Sequence, residues 1–512
     1  MKKSKEIIAS RNFKLIILII LQVIAVFFFI NNLAAHRTVI YDLMVFSAIL
    51  LGISILAKDD LNPVYKLMWV FILASLPIIG TVIYLFWGDR KITKRKAAEI
   101  SYATFKSKTA LFEFPRNVDP ERLSGCESTC AKYLRNYAKA PVFENTTASY
   151  YGWGEKFFEK LLEELGKAEK FIFIEYFIIS NGYMWDKTYE VLRRKAEEGV
   201  DVRIIYDAFG SMLDLPEDFW IDMRNNGIKC YRFNPIHFSW KLTDYTFLNH
   251  RDHRKICVID GNTGFTGGIN LSDEYINLKH CCGKWKDTAV MLKGDGVYAL
   301  TNTFLKMWEY VSGDINEDYT QYAPTVSEKS DFFVQPYDDS PLDVENVSEN
   351  SYFNVICHAR KYVYITTPYL IIDHEMVTAL SLAAKSGVDV RIIIPGIPDK
   401  KYVYYLTQSY YPELVRAGVK IYEYKLGFMH AKMFVRDDEQ AIVGSANMDY
   451  RSLYLHFENC CAFYGGHIVQ DVKNDIKETL KDCRQVTAED IKKVPKLKRA
   501  VQLVLKFFAP VM

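Results

Sequence analysis

Two stretches of this chain carry one chemical pattern. His253 to Asp260 and His430 to Asp437 both read His-x-Lys-x4-Asp, 177 positions apart. After each, a small pair and an asparagine follow at one further spacing: Gly267-Gly268-Ile269-Asn270 and Gly444-Ser445-Ala446-Asn447. A single match in a chain with ten histidines is unremarkable, but two with the same continuation point to duplicated chemistry. An imidazole, an ammonium and a neutral amide converging on one point suit a phosphate. Two such sets face to face put an imidazole on each side of one phosphorus, one as nucleophile and one as general acid. On this reading His253, Lys255, Asp260, His430, Lys432 and Asp437 form the catalytic set. Asn270, Asn447 and Ser445 join the two lysines in holding nonbridging oxygens, the electrostatic work a metal does elsewhere. The expectation is therefore no metal and no cofactor.

The elements around these residues repeat as well. The β-branched run into Asp260-Gly261 predicts a strand entering a hairpin, with Thr263 to Thr266 returning. Residues two apart share a strand face, so His253 and Lys255 should point together, as should His430 and Lys432. Upstream, Gly199-Val200-Asp201-Val202-Arg203-Ile204-Ile205 returns verbatim from Gly387 to Ile393. Gly227 to Tyr231 is echoed at Gly418 to Tyr422. Each repeat follows a helical segment with a glycine stop and reads as a buried strand. Helical spacing over Glu155 to Ala168 runs into a further buried strand over Lys170 to Ile179.

The resulting fold class is α/β, with two strand-helix-strand domains packed about a pseudo-twofold axis. Their extents read as 146–326 and 327–485. A connector over 97–145 precedes them and docks on the first.

Residues 1–96 read as a membrane anchor. Apolar runs cover 15–30, 43–57 and 67–87, and the last has 21 residues without a charge, enough to cross a bilayer. Basic flanks at both ends place both on the cytoplasmic side and call for an even number of crossings. The preferred arrangement has 67–87 and one earlier run spanning, with the remaining run re-entrant or interfacial. Residues 486–512 form a basic amphipathic tail that reads equally as an interfacial helix on anionic lipid or as a helix docked on the protein.

Ten cysteines without a CxxC framework read as reduced thiols, and His280-Cys281-Cys282 lacks a second pair at metal-ligand spacing. A net charge of +2 says nothing about a polyanionic partner, but the lack of any basic-aromatic run outside the tail argues against nucleic acid.

The doubled motif resembles the phospholipase D superfamily. His250 to Lys255, Gly267 to Asn270, Asp273-Glu274-Tyr275 and the apolar segments ahead of two repeats are similar to bacterial cardiolipin synthases. The resemblance implies two phospholipase D-like domains behind amino-terminal transmembrane helices. It also implies phosphatidyl transfer between two phosphatidylglycerol molecules through a phosphohistidine, giving cardiolipin and glycerol. It further implies an acid that orients each histidine: Glu458 in the second unit and Asp287 in the first. The implied location is the cytoplasmic membrane, multi-pass, with the catalytic domains facing the cytoplasm. Hydrolysis with water as acceptor uses the same residues and stays open, as does another membrane-bound phosphodiesterase. Nothing in the sequence fixes an oligomeric state.

Overall fold

In the computed structural model the described residues are 37–59, 61–88, 94–235, 249–315, 318–343 and 345–511. They divide between an amino-terminal unit ending at Lys91 and a larger unit that holds both repeats.

The amino-terminal unit contains α1 (Arg37–Leu56), α2 (Pro63–Ser75) and α3 (Pro77–Ile83), followed by a π-helical turn over Tyr84–Gly88. Run 67–87 is therefore not one straight helix. Leu76 adopts φ −137° and ψ 68° ahead of Pro77, because proline lacks an N–H and crowds the residue before it out of the helical region. Run 43–57 falls almost entirely in α1, and run 15–30 lies outside the described residues. No helix among the described residues is long and apolar enough to cross a membrane. Tyr65, Met68 and Trp69 pack inside this unit, while Leu43, Phe46, Ile49 and Ile53 of α1 and Leu67 of α2 face outward.

The larger unit opens with α4 (Lys94–Glu113), twenty residues of helix where the sequence reads as an aperiodic connector. Its footing is tertiary: Lys106 pairs with the buried Glu309 at 2.5 Å, and Phe114, just past its end, packs at a tilt on Tyr298 at 5.0 Å.

Beyond α4 the chain builds its first sheet. The strands are β1 (Thr146–Tyr151), β2 (Phe171–Tyr176), β3 (Asp201–Asp207), β4 (Lys229–Phe233), β6 (Lys255–Ile259), β7 (Thr263–Gly267) and β9 (Ala289–Gly294), with the short β5 (Arg251–Asp252) and β8 (Lys284–Lys286) set apart. They run in the order β1-β9-β7-β6-β2-β3-β4. Helices α5 (Gly154–Gly166), α6 (Tyr183–Glu197) and α7 (Val297–Ser312) connect or close it.

The second sheet contains β10 (Phe333–Asp339), β11 (Tyr362–Thr366), β13 (Asp389–Pro395), β14 (Lys420–Tyr424), β16 (Met433–Arg436), β17 (Gln440–Gly444), β19 (His456–Tyr464) and β20 (Cys483–Gln485). Short β12 (Leu370–Ile371), β15 (Gly427–Met429) and β18 (Met448–Asp449) lie off it. The order β10-β19-β17-β16-β11-β13-β14 matches the first sheet strand for strand. Helices α8 (His374–Lys385), α9 (Lys401–Gln408), α10 (Tyr450–Tyr454), α11 (Gly466–Lys481) and α12 (Lys496–Phe507) complete this half.

The repeated heptads become β3 and β13, each flanked on both sides by parallel neighbours. Such strands are covered on both faces, which is why they read as near-continuous apolar runs. Gly199 and Gly387 precede them at φ +92° and +94°, left-handed positions that end α6 and α8.

One core joins the halves: Phe173, Val258 and Val290 of the first pack in one buried cluster with Val435, Val443 and Phe463 of the second. Two short parallel pairings cross between them, β5 with the start of β19 and β15 with β8. Each is the other's counterpart under the pseudo-twofold relation. All ten cysteines are unpaired thiols.

Candidate active site

Both hairpins carry their histidine just before the first strand. In each, the aspartate lies at the far turn, with Asp260 at φ +51° and Asp437 at φ +52°. Asp260 accepts the backbone N–H groups of Glu169, Lys170 and Phe171 at 2.8, 2.7 and 2.9 Å. Asp437 does the same for Arg360, Lys361 and Tyr362 at 2.6, 2.8 and 2.8 Å. A strand of this length holds the aspartates roughly 20 Å from the histidines. The structure therefore does not place Asp260 or Asp437 in the reacting set; each straps its turn to the start of β2 or β11.

The crossed pairings fix the other end. The His253 N–H donates to Phe457 O at 2.9 Å, and the His430 N–H donates to Lys286 O at 2.7 Å. The residue after each acceptor is an acid. His253 Nδ1 lies 2.9 and 3.0 Å from the two carboxylate oxygens of Glu458, and His430 Nδ1 lies 2.5 Å from Asp287 Oδ2. The within-unit pairing implied by the family resemblance is thus reversed: Glu458 serves the first motif and Asp287 the second. A carboxylate on Nδ1 places the ring proton there and leaves Nε2 with its lone pair.

The two acids are held differently. Ser445 donates its hydroxyl to Glu458 Oε2 at 2.5 Å and accepts the Asn459 N–H at 3.0 Å, so it clamps the acid. Its counterpart is Gly268, where an added Cβ would stand 2.2 Å from Asp287 Oδ1. The shorter acid goes with the bare glycine and the longer acid with the serine. Asn270 is also committed, accepting the Ile178 N–H at 3.1 Å and donating to the Tyr275 hydroxyl at 2.6 Å. Asn447 is buried with Oδ1 unpartnered among the described residues.

Burial dominates the electrostatics. It lowers both imidazoles to about 4: Lys255 and Lys432 add to this at His253 against the pull of Glu458, and Lys432 adds to it at His430 against Asp287. Burial also pushes the Lys255 ammonium down to about 7 and that of Lys432 to about 8, although Glu458 and Asp287 oppose it. Lys255 and Lys432 donate to the carbonyls of His253 and His430, and Lys432 Nζ also lies 2.8 Å from His430 Nδ1. Burial opposes ionisation of Glu458, yet His253 and His456 beside it hold its carboxyl well below the ordinary range. Near neutral pH the site holds two neutral imidazoles and two lysines that an incoming anion would charge fully.

Several wall residues do not stand out in the sequence. Phe177 meets the His253 ring edge to face at 4.9 Å, and Trp285 and Phe428 lie 5.3 and 5.7 Å from that of His430. His456 lies 5.5 Å from His253, ring to ring. A register signal existed for it: His456 stands two residues before Glu458 as Trp285 stands two before Asp287. The halves therefore differ, a third imidazole beside one histidine and an indole beside the other. His253, His456 and Glu458 are also the one group among the described residues with ligand atoms close enough to share a metal, within 4.8 Å. An ion there would have to displace the bonds from Glu458 to His253 and Ser445, so the set fits its present hydrogen bonding better than a metal.

Comparison with known proteins agrees with this geometry. The family described as cardiolipin synthase, PLD-like domain, matches residues 161–308 and 352–480, and the phospholipase D-nuclease N-terminal family matches 45–88. A cardiolipin synthase of Alkalihalophilus pseudofirmus is 33% identical over 91% of this chain and 92% of its own. One from Geobacillus kaustophilus is 33% identical over 90% and 91%. The crystal structure of Haemophilus influenzae phosphatidylserine synthase covers 74% of this chain and 97% of its own at a TM-score of 0.55 and 16% identity, a likeness of fold. With hairpins, strand order and sequence in accord, the chain belongs to the cardiolipin synthase family of the phospholipase D superfamily.

Proposed function

We propose that this chain transfers a phosphatidyl group from one phosphatidylglycerol to another, giving cardiolipin and glycerol. The observation that carries the reading is the pair of buried imidazoles, each held at Nδ1 by an acid of the opposite half and each keeping Nε2 for chemistry.

In the first step one Nε2, assigned to His253 by family likeness, attacks phosphorus. The bond to glycerol breaks, and His430, protonated as substrate binds, gives its proton to the departing oxygen. In the second step the hydroxyl of another phosphatidylglycerol attacks the phosphohistidine. The P–N bond breaks, and His430 takes the hydroxyl proton. Lys255 and Lys432 hold the nonbridging oxygens, and the buried amide of Asn447 adds a donor. Glu458 and Asp287 keep the rings in the productive tautomer.

The same reading puts the amino-terminal unit in the cytoplasmic membrane as a multi-pass anchor, with the catalytic body on the cytoplasmic side. The outward apolar side chains of α1 and α2 and the basic flanks support it.

The test is purified full-length protein with phosphatidylglycerol in liposomes, without added divalent metal or nucleotide. Cardiolipin and free glycerol should form in equal amounts. Phosphatidic acid as the only lipid product would mean a hydrolase instead. Replacing His253 or His430 by Ala should cut turnover by about 10²–10⁴ or more. Labelled phosphatidyl-enzyme should accumulate in the His430 variant and be missing from the His253 variant; the reverse pattern would exchange the two roles.

A further inference from the structure

Helix α12 is docked the wrong way round for a helix whose outer side meets water. Gln502 is its buried residue, the Lys498 ammonium lies 4.6 Å over the Tyr405 ring, and that of Lys506 lies 4.5 Å over Tyr410. Arg499 turns back to the carbonyls of Ile491 and Lys492 at 3.0 and 3.1 Å. Polar side chains thus do most of the docking, with Leu505 packed beside them against the core. Most of the apolar ones face out: Leu497, Val501, Val504 and, just past the helix, Phe508 recur at helical spacing as one exposed stripe, with Leu503 beside it. Leu497 and Leu503 are 79% and 72% exposed. A surface helix of a soluble protein shows the opposite arrangement.

We infer that this stripe is a lipid-docking surface of the catalytic body, lying in the interfacial layer of an anionic bilayer. Charge selects the occupant. From Ile491 to Met512 the chain has five lysines and one arginine and no acid. Pairing the stripe with a second copy would bring two such clusters together, whereas an anionic bilayer offers both apolar depth and opposite charge.

Its position ties the surface to the site. Helix α9, against which α12 packs, begins just after Asp399, whose carboxylate accepts the Tyr369 hydroxyl at 2.7 Å. The Tyr369 ring is 6.3 Å from Phe428, which stacks on His430. Ile397 and Tyr402, also exposed, lie on the same stretch of chain. A chain of contacts thus runs from the helix that carries α12 to the wall of His430, the side from which a two-chain lipid held at the stripe would approach the site.

The experiment uses the full-length protein in vesicles of phosphatidylcholine, with or without phosphatidylglycerol, and a photo-crosslinking amino acid at Leu503. A control carries the same group at Leu382 of α8, which is 63% exposed. Position 503 should yield phospholipid adducts, several-fold more with phosphatidylglycerol present, and position 382 none. Adducts from 503 to a second protein chain, or equal lipid yields at both positions, would overturn the inference. The double variant L503E/V504E should lose about tenfold in turnover of long-chain phosphatidylglycerol in vesicles while keeping turnover of a short-chain, monomeric one. Equal loss on both would make the stripe structural and overturn the inference. The crosslinking readout needs no turnover, so it stands or falls apart from the proposed reaction.

Discussion

Each motif residue has its own task once the bonds are traced. The histidines offer Nε2, the acids hold Nδ1, and Ser445 and Gly268 set how each acid is held. The lysines define a pH dependence. Burial lowers them to about 7 and 8 in the free site, so they are charged below those values and lose charge as pH rises through them. An anionic phosphate restores the charge by drawing protons onto them. We therefore expect kcat/KM to fall above about pH 7–8 while kcat holds over the same range, since bound substrate keeps both lysines protonated. Lys255→Arg should move that limb upward, because guanidinium stays charged. Parallel decline of kcat and kcat/KM would show that the lysines are not the titrating groups. On the acid side the attacking imidazole of His253 must be neutral, which burial secures down to about 4, so activity should persist well below the ordinary histidine range.

At the scale of elements, the hairpin aspartates show how a motif residue can be indispensable without touching substrate. Asp437 gathers three backbone N–H groups at the start of β11 while itself adopting a left-handed conformation. Asp437→Ala leaves those donors without their acceptor at a half-buried turn and should cost about 1–3 kcal/mol of stability. Asp437→Asn should cost less, since asparagine tolerates the same φ and keeps an acceptor. Thermal unfolding measures both, and residual activity per folded molecule should stay close to that of the parent. Activity lost without any loss of stability would return the aspartate to the chemistry. Position alone cannot separate the two roles, because the strapping aspartate and the reacting histidine lie in the same octet.

At the scale of the molecule, the halves are interlocked through their chemistry. The acid for each histidine arrives from the other half, across 205 residues for His253 and 143 for His430. The crossed arrangement predicts that Glu458→Gln shifts the NMR titration of His253 and leaves that of His430 nearly unchanged, with activity down about 10²–10⁴-fold. A shift confined to His430 would restore a within-unit pairing. The Gly268–Asp287 contact predicts the converse at the other pole, since any side chain at 268 collides with the carboxylate that holds His430.

Much of this architecture was legible in the residues alone. Strand alternation, the Asp260-Gly261 turn and the glycine stops at Gly199 and Gly387 are short-range properties, and they placed both hairpins, β3 and β13 and the doubled His-x-Lys pattern. Pro77 within the third apolar run was a local break signal too, and the structure bends there. Other features had no local signal. Helix α4 lacks strong periodicity and takes its form from its packing partners. Which acid serves which histidine, why Ser445 faces an acid and why α12 turns its apolar stripe outward depend on how two sheets and a terminal helix dock. A sequence determines by itself the structure that neighbours along the chain decide; the pairing of groups more than a hundred residues apart is decided by the shared core of the two sheets.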